Sequence, residues 1–154
     1  MIKIPGTEAG LPAVEQVISE GINVNITLLF SVESYVNTAL AYIRGLGKRA
    51  GLGKNIRNIS SLASFFLSRI DCKIDGKIDK KLSQDVSDIN VEAKLKSLKG
   101  KVAIANAKIA YQEYKKIIND EPWQALVAKG SKVQRLLWAS NQQKRSQLQR
   151  CHVF

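Results

Sequence analysis

The chain has 154 residues, 45% of them hydrophobic, and its 24 basic and 13 acidic side chains give a formal net charge of +11. It contains no run of about twenty apolar residues and no basic leader followed by an apolar stretch, so the sequence predicts neither a membrane span nor a secretion signal. Cys72 and Cys151 are too few for a disulfide framework and suit a reducing cytoplasm. The only histidine, His152, lies in the last fourteen residues, which carry no apolar period, so no Ser/His/Asp triad is expected.

The first segment predicts a strand followed by a short helix. In MIKIP, Ile2 and Ile4 point to one face of a strand and Lys3 to the other. GLPAVEQVISEG predicts a helix with Pro12 in its first turn and Gly21 as a left-handed cap. A second strand, INVNITLLF, completes a βαβ unit, which requires parallel strands covered on both faces.

The second strand alternates between polar and apolar residues. The polar members are Asn23, Asn25 and Thr27, and the apolar members on the opposite face are Ile22, Val24, Ile26 and Leu28. Polar side chains inside a covered strand need a reason, and in a (β/α) barrel that reason is usually a site at the carboxyl end of the strands.

Lys3 is the most informative residue of the first strand. A lysine in a buried strand is costly unless its ammonium group loses its proton or gains a partner. A lysine whose pKa is lowered in this way attacks carbonyl groups, because only the neutral amine is a nucleophile. The alternative is an exposed edge strand that carries a solvated lysine.

The middle of the chain continues the alternation of helix and strand. Ser31 is expected to cap a helix from Val32. GLGKRAGLGKN lacks the lysine-threonine ending of a phosphate loop and is predicted to be a solvated connection. Residues 62–67 predict a third strand, with Ser64 and Phe66 on one face and Arg69 just beyond its carboxyl end.

The remaining elements are mostly helical. Residues 70–82 predict a helix interrupted at Gly76, and residues 83–90 predict a loop. A long helical pattern over residues 91–118 is expected to break at Gly100. A short helix over residues 122–128 then precedes a fourth strand, Arg135 to Ala139.

Four segments carry a resemblance to a known family. MIKIPGTEAGLPAVEQVISEGINVNITLLFS, SSLASFFLSRID, GKVAIANAKIAYQEY and VQRLLWAS resemble, in order, the transaldolases of the longer actinobacterial or cyanobacterial type, which are sometimes fused to a glucose-6-phosphate isomerase. The resemblance covers residues 1–140 and implies an α/β fold, a partial (β/α)8 TIM barrel with about strands four to seven and their helices. A complete barrel has eight strands and about 250 residues.

The last fourteen residues differ from the rest. After Ser140 the chain reads NQQKRSQLQRCHVF, without an apolar period. Codons can be chosen for this tail that, read one base later, spell a string similar to the family's continuation. We therefore expect residues 1–140 to be a partial barrel domain, and residues 141–154 to be a disordered tail translated out of frame.

The resemblance also implies roles for seven residues. Its catalytic members would form the Schiff base and hold the catalytic water, and others would bind the sugar or its phosphate. They are Lys3 for the Schiff base, Thr27 for the water, Asn25, Ser64 and Phe66 for the substrate, and Arg69 and Ser140 for the phosphate.

The resemblance implies the transfer of a dihydroxyacetone unit between sugar phosphates in the pentose phosphate pathway. The partners would be sedoheptulose 7-phosphate, glyceraldehyde 3-phosphate, erythrose 4-phosphate and fructose 6-phosphate, without a membrane, cofactor or metal. Transaldolases also use an aspartate on strand one and a glutamate on strand three, which would precede Met1. We therefore expect the isolated chain to be inactive.

Two alternatives stay open. One is a non-catalytic pseudogene product. The other is a basic nucleic-acid-binding module, which the net charge of +11 invites. The lysines are, however, spread over several predicted helices, and the few aromatic residues are not interleaved with them, so nucleic acid is the less favoured partner.

Overall fold

Four parallel strands form one sheet in the computed structural model, which describes residues 1–84 and 88–139. The sheet order follows the chain order, β1-β2-β3-β4, so β1 and β4 are its edge strands. Every neighbouring pair is parallel, as the sequence predicts. The strands are β1 Ile2–Pro5, β2 Val24–Leu29, β3 Ser61–Phe66 and β4 Arg135–Ala139.

Helices connect the strands. Gly21 has a positive φ of 98° and ends the first helix, and Gly100, with a φ of 70°, separates two helices where the sequence predicts a break. The predicted interruption at Gly76 is wrong, because one helix runs through it. The helices are α1 Leu11–Glu20, α2 Val32–Gly51, α3 Ser68–Leu82, α4 Ile89–Leu98, α5 Val102–Asn119 and α6 Glu121–Val127.

The hydrophobic core lies between one face of the sheet and the helices. Val24 and Ile26 of β2 and Ala63 and Phe65 of β3 are fully buried in one cluster with side chains from α1, α2, α5 and α6. Since side chains alternate along a strand, the intervening residues point the other way. We call this second side the open face; it consists of Lys3, Pro5, Asn25, Thr27, Leu62, Ser64, Phe66, Arg135, Leu137 and Ala139.

The glycine-rich segment is helical, so the prediction of a solvated connection there is wrong over residues 45–51. The helix α2 continues to Gly51, and Gly45 is buried. A Cβ atom at Gly45 would lie 2.8 Å from the carbonyl oxygen of Glu15 and 2.8 Å from the Cβ of Ile18. The glycine therefore allows α1 and α2 to approach closely, which explains its place inside a helix.

A backbone irregularity near the end of β2 corrects a second prediction. Leu28 was expected on the core side with Ile26, but it has a φ of 62° and is 40% exposed. The pairing with β3 shifts register between Ile26 and Leu29, as in a β-bulge. Leu29 thus enters the core in place of Leu28, and Phe30 follows on the side of the open face.

The order of the strands is that of consecutive repeats in a (β/α)8 barrel. Each strand lies beside the next one in sequence, and among residues 1–84 and 88–139 the helices pack on the core side of the sheet. The predicted α/β class and the partial barrel are thereby confirmed. No helix among the described residues is long and apolar enough to cross a membrane.

Candidate active site

Lys3 lies in the middle of β1 on the open face. Its Cα is paired with that of Asn25 on β2, so the two side chains leave the sheet at the same level. The side chain of Lys3 is exposed, because β1 is an edge strand and none of the helices in the described part of the chain covers this face. Of the two alternatives drawn from the sequence, the solvated lysine on an edge strand describes Lys3 in this chain.

A hydrogen bond joins two of the predicted substrate ligands. The hydroxyl of Ser64 donates to Oδ1 of Asn25 over 2.7 Å, and Ser64 is only 4% exposed. This bond uses the amide oxygen of Asn25 and leaves its NH2 group to donate to another acceptor. Thr27 is the next residue of β2 on the same face and is paired with Pro5.

An aromatic and cationic cluster lies at the carboxyl ends of β2 and β3. The ring centroids of Phe30 and Phe66 are 5.4 Å apart. The guanidinium carbon of Arg69 lies 5.4 Å from the centroid of Phe66, within the range of a cation–π contact. Arg69 is exposed in the first turn of α3, so its N–H groups can reach an anion at this end of the sheet.

The fold brings six of the seven predicted site residues to one face and one end of the sheet. Asn25 contacts Ser64, Phe66 contacts Arg69, and Lys3 is in register with Asn25. Ser140 lies outside the described residues. Its neighbour Ala139 ends β4 beside the start of α3, where its carbonyl oxygen accepts a bond of 3.0 Å from the amide of Leu67.

Sequence reasoning missed two residues of this region. Phe30 packs on Phe66, and its signal was an aromatic residue directly after the polar alternation of β2. Arg135 of β4 stands on the open face at the level of Lys3, since the register runs from Lys3 through Asn25 and Leu62 to Arg135. Its signal was a basic residue opening an otherwise apolar strand.

The open face carries positive charge. Its ionisable members are Lys3 and Arg135, and its other residues are uncharged. Arg69 adds a third cation at the carboxyl end of the sheet. Such a surface favours anionic ligands. Among residues 1–84 and 88–139, no three His, Cys, Asp or Glu side chains lie close enough together to hold a metal ion.

The topology and the polar face define an α/β chain of the parallel-barrel class, and comparison with known proteins identifies the family. Residues 1–145 match the family model described as Transaldolase/Fructose-6-phosphate aldolase. Transaldolase 2 of Nostoc sp. is 75% identical over 144 residues, which are 94% of this chain and 38% of that relative. The transaldolase of Trichodesmium erythraeum is 70% identical over 144 residues, again 94% of this chain and 38% of the relative.

The chain belongs to the transaldolase family, as its four sequence segments predicted. A more distant relative, Transaldolase 1 of Streptomyces avermitilis, is 44% identical over 140 residues, which are 91% of the chain and 35% of the relative. The chain thus spans less than two fifths of the length of the curated relatives that it matches.

Proposed function

We propose that this chain is the Schiff-base segment of a transaldolase. The observation that carries the proposal is the convergence, on the open face and its carboxyl end, of six residues to which the family resemblance assigns roles. The match over residues 1–145 supports it, as do relatives named transaldolase at 70–75% identity.

In the proposed reaction, the amine of Lys3 attacks the carbonyl carbon of a ketose phosphate, and loss of water gives an iminium ion. The hydroxyl on the β carbon then gives its proton to the catalytic water, the bond between the α and β carbons breaks, and an aldose phosphate leaves. The electron pair of that bond moves to the iminium, which becomes an enamine. The bound three-carbon unit then attacks a second aldose phosphate, and hydrolysis frees Lys3. The iminium is itself the electron sink, so the chemistry requires no cofactor.

Asn25, Thr27 and Ser64 are suited to the uncharged parts of the substrate. The NH2 group of Asn25, held by the bond from Ser64, would donate to a hydroxyl of the three-carbon unit. The hydroxyl of Thr27, on the same strand, would hold the water that carries protons.

The phosphate is assigned to the carboxyl end of the sheet. Arg69 lies in the first turn of α3, a position where the helix N-terminus also favours an anion. Phe66 forms the wall beneath the guanidinium. Ser140 is proposed to complete this subsite, and the substrates are proposed to be the phosphates of sedoheptulose, fructose, erythrose and glyceraldehyde.

The isolated chain is proposed to be inactive. An unperturbed lysine has a pKa near 10.4 and is charged at neutral pH, so the reaction requires a site that removes water from the amine. Lys3 is exposed here instead. Residues 1–140 are proposed to be the partial barrel, residues 141–154 an out-of-frame tail, and the cytoplasm the location of the parent enzyme.

The experiment is to complete the barrel. Residues 1–139 of this chain replace the matching segment of the Nostoc sp. relative, and we measure aldol exchange and borohydride trapping with fructose 6-phosphate. The completed protein should exchange and should carry one label on Lys3. Lys3→Met should abolish both, whereas Lys115→Met, which removes an exposed lysine of α5, should change neither.

Two results would overturn the proposal: an inactive completed protein, or exchange that survives in Lys3→Met. The 154-residue chain alone should not be labelled, and stoichiometric labelling of it would refute the proposed inactivity. The exposure of Lys3 favours a second candidate, a non-catalytic product. That candidate requires that no complementary segment is encoded near this gene, which sequencing of the flanking DNA tests.

A further inference from the structure

Two residues without an assigned role connect α5 to the proposed phosphate subsite. The side-chain amide of Asn106 on α5 donates to the backbone carbonyl of Phe30 over 2.9 Å, across 76 positions of sequence. The ring of Phe30 packs on Phe66 at 5.4 Å, and Phe66 in turn lies 5.4 Å from the guanidinium carbon of Arg69. These contacts form a continuous chain from α5 to the cation.

The position of Phe30 depends on the irregularity of β2. The left-handed Leu28 shifts the register, so that Leu29 points into the core and Phe30 points to the open face. Phe30 is 37% exposed and lies between the end of β2 and Ser31, the N-cap of α2. Since Phe30 is partly exposed, the bond that Asn106 makes to its carbonyl helps to fix the position of this turn.

Arg69 itself has few constraints. Its side chain is exposed, and its guanidinium carbon lies 5.4 Å from the centroid of the Phe66 ring. A long, flexible side chain loses entropy when it binds an anion, and a preset guanidinium plane loses less. The ring of Phe66 therefore sets the plane of Arg69 only if Phe66 is itself held, and Phe30 is the aromatic ring that contacts it.

We propose that Phe30 and Asn106 are positioning residues that orient Arg69 toward the phosphate of the substrate. This inference rests on the proposed function, which assigns the phosphate to Arg69. Asn106 acts through the Phe30 carbonyl, and Phe30 acts through the Phe66 ring. Neither residue touches the substrate.

The first test uses the 154-residue chain and needs no ligand. An aromatic ring shifts the NMR signals of protons held near its face, so the Hδ and Hε protons of Arg69 report its contact with Phe66; Arg69→Lys assigns them. Asn106→Ala and Phe30→Leu should move these signals more than halfway to the values of a free arginine. Phe30→Tyr, which keeps the ring, should leave them in place.

Asn119→Ala is the matched control for Asn106. Asn119 is also on α5, and its side-chain amide also donates to a backbone carbonyl, that of Lys115, over 2.7 Å. Its loss should leave the Arg69 signals unchanged. Signals that stay in place in Asn106→Ala, or that move equally in Asn119→Ala, would overturn the inference.

The second test uses the completed protein described above. Asn106→Ala should raise KM for glyceraldehyde 3-phosphate about five- to tenfold, as when a hydrogen bond to a charged group is loosened rather than lost. The kcat should stay within about twofold, and the rate with unphosphorylated glyceraldehyde should not change. Phe30→Tyr should restore the KM that Phe30→Leu loses.

The outcomes separate the two proposals. A general loss of structure lowers the rate with both acceptors equally, and that result would overturn the positioning role. If the completed parent protein is inactive, the proposed function fails, and the NMR measurement still decides whether Phe30 and Asn106 hold Arg69.

Discussion

The two faces of the sheet use alternate residues of the same strands and have opposite surroundings. Phe65 is fully buried against the helices, whereas its neighbour Phe66 lies on the open face beside Phe30 and Arg69. The packed face is buried against side chains of α1, α2, α5 and α6 and against Ile56 and Ile59, which precede β3. The open face carries the residues proposed to do chemistry. Because successive side chains of a strand point to opposite faces, alternate residues form the core, and the residues between them form the proposed site.

Two features of the open face, the bond between Ser64 and Asn25 and the exposure of Lys3, depend on different parts of the fold. Contacts between neighbouring strands, such as Ser64 to Asn25, are present because both strands belong to the chain. The exclusion of water from Lys3 is absent because it would require cover over the open face. Side-chain placement is therefore a local property of this sheet, whereas the desolvation of Lys3 that the proposed function requires would come from a closed barrel.

The largest expected effect is the loss of stability in Phe65→Ala, and the adjacent Phe66→Ala provides the comparison. Phe65→Ala should lower the free energy of unfolding by about 3–5 kcal/mol, since it leaves a cavity in the core. Phe66→Ala should cost about 1 kcal/mol or less, because its ring is only half-buried. Urea denaturation at constant m-value measures both changes. Equal losses would show that the open face is packed as firmly as the covered one.

A smaller effect is expected where α1 meets α2. Gly45→Ala should destabilise by about 1–3 kcal/mol, because its methyl group would lie 2.8 Å from Glu15 O and from the side chain of Ile18. Gly47→Ala is the matched control on the same helix, since a Cβ there meets nothing within 4 Å. It should stabilise by about 0.5–1 kcal/mol through helix propensity. If the two substitutions change the free energy of unfolding in opposite directions, α1 and α2 are closely packed at Gly45. Changes in the same direction would contradict this close packing.

The smallest effect concerns an ion-pair cluster at the rim of the helical layer. Glu15 accepts from Lys48 over 2.6 Å and from Arg44 over 2.7 Å, and these two cations lower the pKa of its carboxyl group. Since both cations are more than half exposed, Glu15→Gln should cost only about 0.5 kcal/mol at pH 7.

The pH dependence follows from the direction of that shift. Because the pKa of Glu15 is lower in the folded state, the unfolded chain binds more protons as the pH falls, and folding weakens. The difference between the parent chain and Glu15→Gln should be complete above pH 4.5 and vanish as the pH falls through the folded pKa. A difference that persists at pH 2 would show that the effect is not electrostatic.

The sequence predicted all four strands, because alternation, helix caps and glycine breaks are local signals. It also placed Asn25 and Thr27 on one face of β2, and Ser64 and Phe66 on one face of β3, since the period of a strand fixes the side. It did not predict that the helix continues through the glycines. A side chain at Gly45 would collide with the backbone of α1 at Glu15, 30 positions earlier, and the local sequence carries no signal of that contact. Leu28 was misplaced because a bulge has no signal in an unbroken apolar run.

The connection from Asn106 to Phe30 could not be predicted either. An asparagine on a helix surface gives no indication of which distant carbonyl it contacts. Here the partner is 76 positions away, and α2, β3, α3 and α4 lie between the two residues in the chain. The exposure of Lys3 could not be predicted from the MIKIP segment alone. Lys3 is exposed because β1 lies at the edge of the sheet, whereas the same segment would be covered in a closed barrel.

The edge strands β1 and β4 have a consequence for handling the polypeptide. Within the described ranges each pairs on one side only, and both run in the same direction, so β4 of one molecule fits β1 of another. Pro5 removes one donor from β1, but β4 contains no proline. If two molecules make this contact at both of their edges, they form a closed dimer. If the second edge stays unpaired, further molecules can add to it and form a filament. We therefore expect the monomeric fraction to fall as the polypeptide is concentrated, which size-exclusion chromatography at two concentrations measures.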